Sequence, residues 1–481
     1  MICGAFEGLA DEKAATKLEY DLRWKVAAGI GIDAPVFNYS SVICLLRARL
    51  VNSTNATRIF DTVLLFARDN RIVISKIRSI DSTVMYDSVE TKSTISMIEA
   101  ALSDIESEIQ YLIPPLNRPS FDDSQSVANY VDALCKRSLA HLQKYSSSSD
   151  NSEALGENLE FLGSILDQDT DSDTDGNNLI KDGVAQDRII SKVDQQARHG
   201  RKSTKRCFDG YKSHVASDPV SGLITSVVVT PGNVSDKDAT GDLVCDIGLG
   251  PHQVQATTIS LDPTVDLDLS QQNQNPPEFN QVLVTNQDGE LRLDPDVPFV
   301  IGDSAYGGFD TRDNLASRGI GILSRVPIPH NKDAKFSKDT FQIDTTTNQV
   351  TCPGGNVVTY KMRQEKEITA SFREYCSTCV LKDRCTTSIR GRTIRIHRYQ
   401  DELERLRSQQ RDPVFIALYN HYRSFAERMN AQLVKVFHGG RKSRYVGLAK
   451  SQFCLSQRAA SVNLARISKL MAAWRWQGEE K

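Results

Sequence analysis

The sequence predicts an α/β fold, and three stretches carry that prediction. Residues 297–327 run strand, Asp, helix, strand: 297–302 is a short apolar strand ending in Asp303-Ser-Ala-Tyr-Gly-Gly308, 311–318 has helical spacing, and 321–327 is extended again. Residues 212–217 and 223–230 form strands on either side of a turn at Asp218-Pro-Val-Ser-Gly222, closed by Pro231-Gly-Asn233. Residues 413–438 form a helix, because Val414, Leu418, Tyr422, Phe425, Met429 and Leu433 recur at spacings of three and four.

At 481 residues the chain has length for about three folding units, which excludes a small stapled scaffold. With 40% apolar and 25% charged residues, 28 Gly and 16 Pro, it is ordinary globular sequence. The net charge of −3 conceals strong segregation along the chain. No apolar run approaches the ~18–20 residues that span a bilayer, and no basic segment precedes an apolar core at the start. A soluble intracellular protein with no membrane partner is expected.

In chain order, 9–52 reads as helices, with Asn38-Tyr-Ser-Ser41 as N-cap candidates before 42–50. Lys17, Arg23, Lys25, Arg47 and Arg49 decorate this unit, either as a solvated surface or as a DNA-contacting module. Residues 71–83 are rich in β-branched side chains and predict a strand with Asp81 at its C-terminal end. Residues 91–112 and 124–145 predict two amphipathic helices separated by Pro114, Pro115 and Pro119. From 146 to 180 there are nine acidic residues and no Lys or Arg, the composition of a flexible solvated linker. Its Asp run resembles a calcium loop but lacks the closing Glu. From 188 to 212 the sign reverses, with eight Lys or Arg against two Asp. Residues 250–296 are a polar excursion, 330–399 hold short extended pieces, and 401–408 is helical.

Asp81 and Asp303 each follow a hydrophobic strand. Two strand-end carboxylates joined by a third from a helix make an oxygen-rich site for paired hard cations. Glu427 lies opposite the apolar stripe of 413–438 and four residues after Arg423. That spacing also suits an exposed ion pair worth ~0.3–0.5 kcal/mol. Of ten cysteines, Cys352, Cys376, Cys379 and Cys385 are grouped, and Cys-x2-Cys with two further thiols can complete a tetrahedral zinc site. His397 is a substitute ligand. The strand 390–398 offers phosphate contacts, and His199 and His214 sit in the basic stretch as phosphate contacts or as internally satisfied histidines.

Taken in order, Asp81-Ser-Thr, Phe208-Asp-Gly-Tyr-Lys-Ser-His214 leading to Val229-Thr-Pro-Gly-Asn-Val-Ser-Asp236, Gly302-Asp-Ser-Ala-Tyr-Gly307, and Tyr422-Arg-Ser-Phe-Ala-Glu427 with Arg444-Tyr-Val-Gly-Leu-Ala-Lys450 resemble the DDE transposases of bacterial insertion sequences. The resemblance runs from about residue 7 to 470. It implies an RNase H-like mixed sheet flanked by helices, with Asp81, Asp303 and Glu427 as the metal-binding triad for two Mg2+ or Mn2+ ions. Asp169 and Asp194 stay open as alternatives for the first carboxylate, since the continuation Val84-Met-Tyr86 departs from the family pattern.

The resemblance implies this organisation: a helical N-terminal domain (1–65) that is shorter than in relatives, the first part of the core (66–88), a helical and acidic insertion (89–186), the central core (187–330), a cysteine-containing insertion (331–399) and a C-terminal helical part (400–475). It implies cleavage at element ends by an activated water, then attack of the freed 3′-hydroxyl on target DNA. The partners are double-stranded DNA, as terminal inverted repeats and as target, and a second copy of the chain in the synaptic complex, in the cytoplasm and at the nucleoid. Arg198, Arg201, Lys202, Lys205, Arg206, Lys212, Arg423, Arg441, Lys442, Arg444 and Lys450 are the expected phosphate contacts. The acidic block is expected to shield them until DNA competes. A decayed DNA-binding copy and a nuclease on the same fold are the alternatives.

Overall fold

The structure is a computed structural model that describes the chain except 36, 39, 73, 112–113, 121–122, 147–150, 204–205, 248–281, 286–290, 294–296, 327–334, 361–367, 398–399, 434–440 and 480–481. It divides into two compact units, Met1–Gln272 with Phe425–Lys481, and Asn273–Ser424.

The first unit is built on a sheet of β1 (Ile77–Tyr86), β2 (Arg198–Ser203), β3 (Arg206–Ser217) and β4 (Ile224–Pro231). β3 is antiparallel to each of the others. One of its edges pairs with β1 from Gly210 to Ser217, and the other pairs with β2 up to Gly210 and with β4 from Tyr211 onward. The change of partner happens at Gly210, whose φ is +129° and whose Cβ, if present, would lie 2.5 Å from the Asp87 nitrogen and the Met85 oxygen. The Gly232 N–H donates to the Gly210 carbonyl at 2.9 Å, which anchors the turn after β4.

β1 differs from the predicted 71–83. It continues to Tyr86, because Val84, Met85 and Tyr86 keep pairing with Lys212, Tyr211 and Gly210 while Met85 is buried. Asp81 therefore sits mid-strand and not at a strand end.

Alternation along the strands turns Tyr211 and Val215 of β3, and Val227 and Val229 of β4, into one core. Helix α1 (Arg58–Asp69) supplies Phe60, Val63 and Leu64 to it. The two C-terminal helices, α5 (Pro413–Ala431) and α6 (Leu448–Glu479), add Met429 from α5, then Leu433, and Leu455 and Ala459 from α6. α6 also hydrogen-bonds to β4. Asn463 accepts from the Ile224 N–H and donates to the Ile224 carbonyl, both at 2.8 Å, and Gln452 does the same to the Val229 N–H at 2.6 Å and the Val227 carbonyl at 2.8 Å.

Helices α2 (Thr94–Glu108), α3 (Ser124–Tyr145) and α4 (Glu153–Asp169) form a separate core in this unit. This corrects the linker reading of 146–180. Leu155, Leu159, Leu162 and Leu166 make a buried stripe beneath the acidic residues, and Thr170–Ser172 pairs with Asn178–Ile180 in a hairpin. Residues 153–180 are folded and are no loose shield. Within its turn the Asp173 carboxylate accepts the N–H groups of Asp175 and Asn177, a turn geometry in place of a calcium loop.

Near the start, helices Ile2–Glu7, Asp11–Tyr20 and Leu22–Ala28 close over Ala14, Leu18 and Trp24, and the Trp24 indole donates to Glu7 at 2.9 Å. Lys17 pairs with Glu7, Arg23 with Asp21 and Arg47 with Asp11, while Lys25 donates to the Ile32 carbonyl. Arg49 is exposed.

The second unit holds a parallel pair, Phe299–Ile301 and Gly321–Leu323, joined through helix Phe309–Ala316. Buried Arg312 of that helix donates to the carbonyls of Gly307 at 3.1 Å and Ser324 at 2.8 Å. Beyond it, strands Gln342–Asp344, Gln349–Thr351 and Val357–Thr359 form one small sheet, and Ile368–Ser371 pairs with Thr393–Ile396. They share a core of Phe341, Val350, Phe372, Ile394 and Ile396. The predicted excursion 250–296 lies mostly outside the described residues. The fold is α/β, with strands of mixed direction flanked by helices, as an RNase H-like core requires. Among the described residues no helix is long and apolar enough to cross a membrane.

Candidate active site

Asp81 stands opposite Val215 in the β1–β3 ladder. Its Oδ2 accepts a hydrogen bond of 2.7 Å from the Asn430 amide on α5. Asn430 is buried, and its own Oδ1 has no hydrogen-bond partner among the described residues. Glu427 precedes Asn430 by one turn on the same helix and is exposed. Helical neighbours three apart have Cβ atoms ~5–6 Å apart, so Glu427 is carried one turn from the residue that holds Asp81. Arg423 is half-buried one turn further back.

Asp303 belongs to the second unit. It follows Phe299–Ile301 by two residues, and its Oδ1 accepts the Ala305 N–H at 2.9 Å. The Ser324 hydroxyl donates to the Asp303 carbonyl at 2.6 Å. Gly307 closes this turn against the Arg325 carbonyl, which would lie 2.0 Å from any Cβ there.

The alternatives to Asp81 have structural partners. Asp169 is buried and takes Arg188 at 2.9 Å and the Thr94 hydroxyl at 2.6 Å. Asp194, 2% exposed, accepts from the Tyr211 hydroxyl at 2.6 Å and from the Gly447 N–H at 3.2 Å, at the start of α6. Both carboxylates hold the fold together.

On the other face of β1, Ser82 donates to Asp236 at 2.7 Å and Lys212 binds the same carboxylate at 3.0 Å. His214, fully buried beside them, has its Nε2 2.9 Å from the Thr230 hydroxyl, and burial pushes its pKa down to about 4. It is a neutral core histidine. His199 pairs with Asp209, so neither histidine is placed as a phosphate contact.

Asp87, just beyond β1, is pushed up to about 6 by burial first and then by Asp209 and Asp194. A carboxyl raised in the folded state favours its protonated form. Its contribution is therefore complete below about pH 4 and lost as pH rises through about 6. Asp87→Asn is expected to be more stable than wild type at pH 8 and equal to it at pH 4. Urea midpoints of both proteins at the two pH values check this, and a difference that does not change with pH would refute it.

Of the expected phosphate contacts, three are engaged inside the fold. Arg198 binds Asp187 at 2.7 Å, Lys212 binds Asp236, and Arg444 donates to the Leu9 carbonyl at 3.0 Å. Lys205 lies outside the described residues. Arg201, Lys202, Arg206, Arg441, Lys442 and Lys450 are exposed. The first three flank the tip of the β2–β3 hairpin. Arg441 and Lys442 reach the end of β1, where the Tyr86 N–H donates to the Arg441 carbonyl and the Ser443 N–H to the Tyr86 carbonyl, both at 2.7 Å. Tyr86 is five residues from Asp81, so this basic rim begins about 17 Å from the carboxylate, roughly half a turn of duplex DNA.

Asp81 and Glu427 offer hard carboxylate oxygens, the donors that a divalent cation takes. Among the described residues no three His, Cys, Asp or Glu side chains are gathered as a ready metal-binding group. Asn430, which ties strand to helix at this place, was missed in the sequence because a lone helical Asn carries no pattern.

Two family models, each described as a transposase DDE domain, match the chain at residues 351–468 and 173–252. The first match contains Glu427 and Asn430, the second contains Asp194 and the β2–β4 strands, and Asp81 and Asp303 fall outside both. No curated protein and no solved structure resembles the chain closely enough to count as a match. Two transposase DDE domain matches, which together cover less than half of the chain, on an α/β fold support a DDE transposase, a family that acts on DNA.

Proposed function

We propose that this transposase, encoded by a bacterial insertion sequence and acting at the nucleoid, cuts DNA at the element's inverted-repeat ends and joins the freed ends to target DNA. Asp81, Asp303 and Glu427 are the carboxylates that hold two Mg2+ or Mn2+ ions. The observation that supports this reading best is the Asn430 hydrogen bond, which ties mid-strand Asp81 to the helix that carries Glu427. When bound, the ions supply Lewis acidity to the phosphate and to the attacking oxygen.

In the first step water adds to phosphorus as the bond to the 3′ oxygen breaks, leaving a 3′-hydroxyl and a 5′-phosphate. In the second, that hydroxyl adds to a target phosphodiester and releases a target 3′-hydroxyl. The phosphodiester bond count is conserved in the joining step, so no energy source is needed. Arg201, Lys202, Arg206, Arg441 and Lys442 hold backbone phosphates beside the carboxylates. Two copies of the chain pair two ends in the synaptic complex.

The test uses the full chain and a supercoiled plasmid carrying the DNA that flanks its gene. Magnesium-dependent nicking followed by joined products is expected, and binding without nicking in magnesium or manganese would overturn the reading. The basic rim has its own test. Replacing Arg201 and Lys202 together by Ala should flatten the slope of log affinity against log salt by about 2, as loss of two phosphate contacts requires. An unchanged slope would remove both residues from the interface.

A further inference from the structure

The four grouped cysteines come from separate places in the second unit. Cys352 starts the turn between strands Gln349–Thr351 and Val357–Thr359, Cys376 ends helix Arg373–Cys376, Cys379 follows three residues later, and Cys385 ends helix Lys382–Cys385. All four line one cavity of about 20 Å³, with Phe336, Phe341 and Phe372 as its apolar walls. That volume holds about one particle the size of a water molecule. The Cβ position of Gly354 is 3.6 Å from the sulfurs of both Cys352 and Cys379, so the turn brings these two thiols to the same spot.

We propose that Cys352, Cys376, Cys379 and Cys385 bind one structural zinc ion. Sulfur is the soft donor that selects zinc over the magnesium of a carboxylate site. Two of the sulfurs already accept N–H donors, Cys376 from the Arg392 backbone at 3.4 Å and Cys352 from the Asn356 amide at 3.8 Å, the kind of outer contact that orients a ligating sulfur. Lys382 and Arg392 line the same cavity and offset the negative charge of a four-thiolate site. Binding exchanges four S–H protons for one Zn2+, and the four protons leave to solvent. The thiols stand around the cavity without forming a coordination sphere, so they close on the ion by side-chain rotation. The stabilising need is evident, because among the described residues the fragment around this cavity has a core of nine buried side chains, two of them Cys376 and Cys385.

The full-length chain purified under reducing conditions from zinc-supplemented culture should contain about one zinc per chain. A thiol-specific mercurial should release that zinc in step with loss of four thiolates. Cobalt exchanged into the wild-type chain should give the thiolate charge-transfer band and the tetrahedral visible bands. The double substitution Cys376→Ser with Cys379→Ser should abolish both. Wild-type protein with zinc far below one per chain and no cobalt bands would overturn the proposal, as would iron with acid-labile sulfide in place of zinc. Metal content is read without DNA, so Asp81→Asn should keep its zinc whether or not the chain cuts DNA.

Discussion

Asp81→Asn is expected to reduce nicking of end-bearing plasmid by at least ~10³-fold while DNA binding and the circular dichroism spectrum stay unchanged, and Glu427→Gln should do the same. The amide that replaces the carboxylate keeps its size and removes its charge, so the folded state loses little. What disappears is a hard, anionic oxygen at the place where phosphate chemistry needs one. Asn430→Ala separates positioning from ligation. Loss of a residue that orients a metal-ligating side chain typically reduces affinity or activity by ~10–100-fold. Here the deficit should appear chiefly as a higher magnesium requirement, with much of the rate recovered at saturating metal. Magnesium titrations of nicking by the three variants distinguish the roles. Full activity in Asp81→Asn would end the assignment, and an unshifted magnesium curve in Asn430→Ala would make that hydrogen bond purely structural.

The largest stability effect is expected at Asn463→Leu. Asn463 is fully buried, and both ends of its amide are paired with the N–H and C=O of Ile224. Leucine matches its shape but pairs with neither, leaving two buried backbone groups unsatisfied at ~1–3 kcal/mol each, about 2–6 kcal/mol together. Gln452→Leu should be milder, because Gln452 is only partly buried and water can reach the backbone it leaves. Urea denaturation of the first unit's transition measures both. A loss below about 0.5 kcal/mol at Asn463 would show that water replaces the amide.

The local elements were legible where local chemistry decides them. Helix Ser124–Tyr145 coincides with its predicted span because the Asp123 side chain caps it and prolines precede it. The turn at 218–222 was equally plain, since the Asp218 carboxylate accepts the Ser221 N–H within the same short sequence. Asp81 reads as a strand carboxylate from its own neighbours, but at the strand's end, because the pairing that extends β1 comes from residues more than 120 positions later. Charge misled twice. In 146–180 the acidic count outweighed a leucine stripe that a helical projection contains, and among the basic residues composition could not tell Lys212, bound to Asp236, from exposed Lys202. The Asn430 contact spans 349 residues of sequence and was not legible.

The hold of α6 on β4 also sets a schedule for the ribosome. β4 ends at Pro231, and the first side chain that pairs with it, Gln452, is some 220 residues further on. At about 5–20 residues per second, translation leaves that strand without its partner for roughly 10–45 s, long compared with the formation of a hairpin. During that interval the nascent chain presents an open strand edge, the surface on which chains template one another. Solubility at high expression should therefore depend on translation speed between codons 232 and 452 and on chaperone supply, more than on the stability of the finished protein.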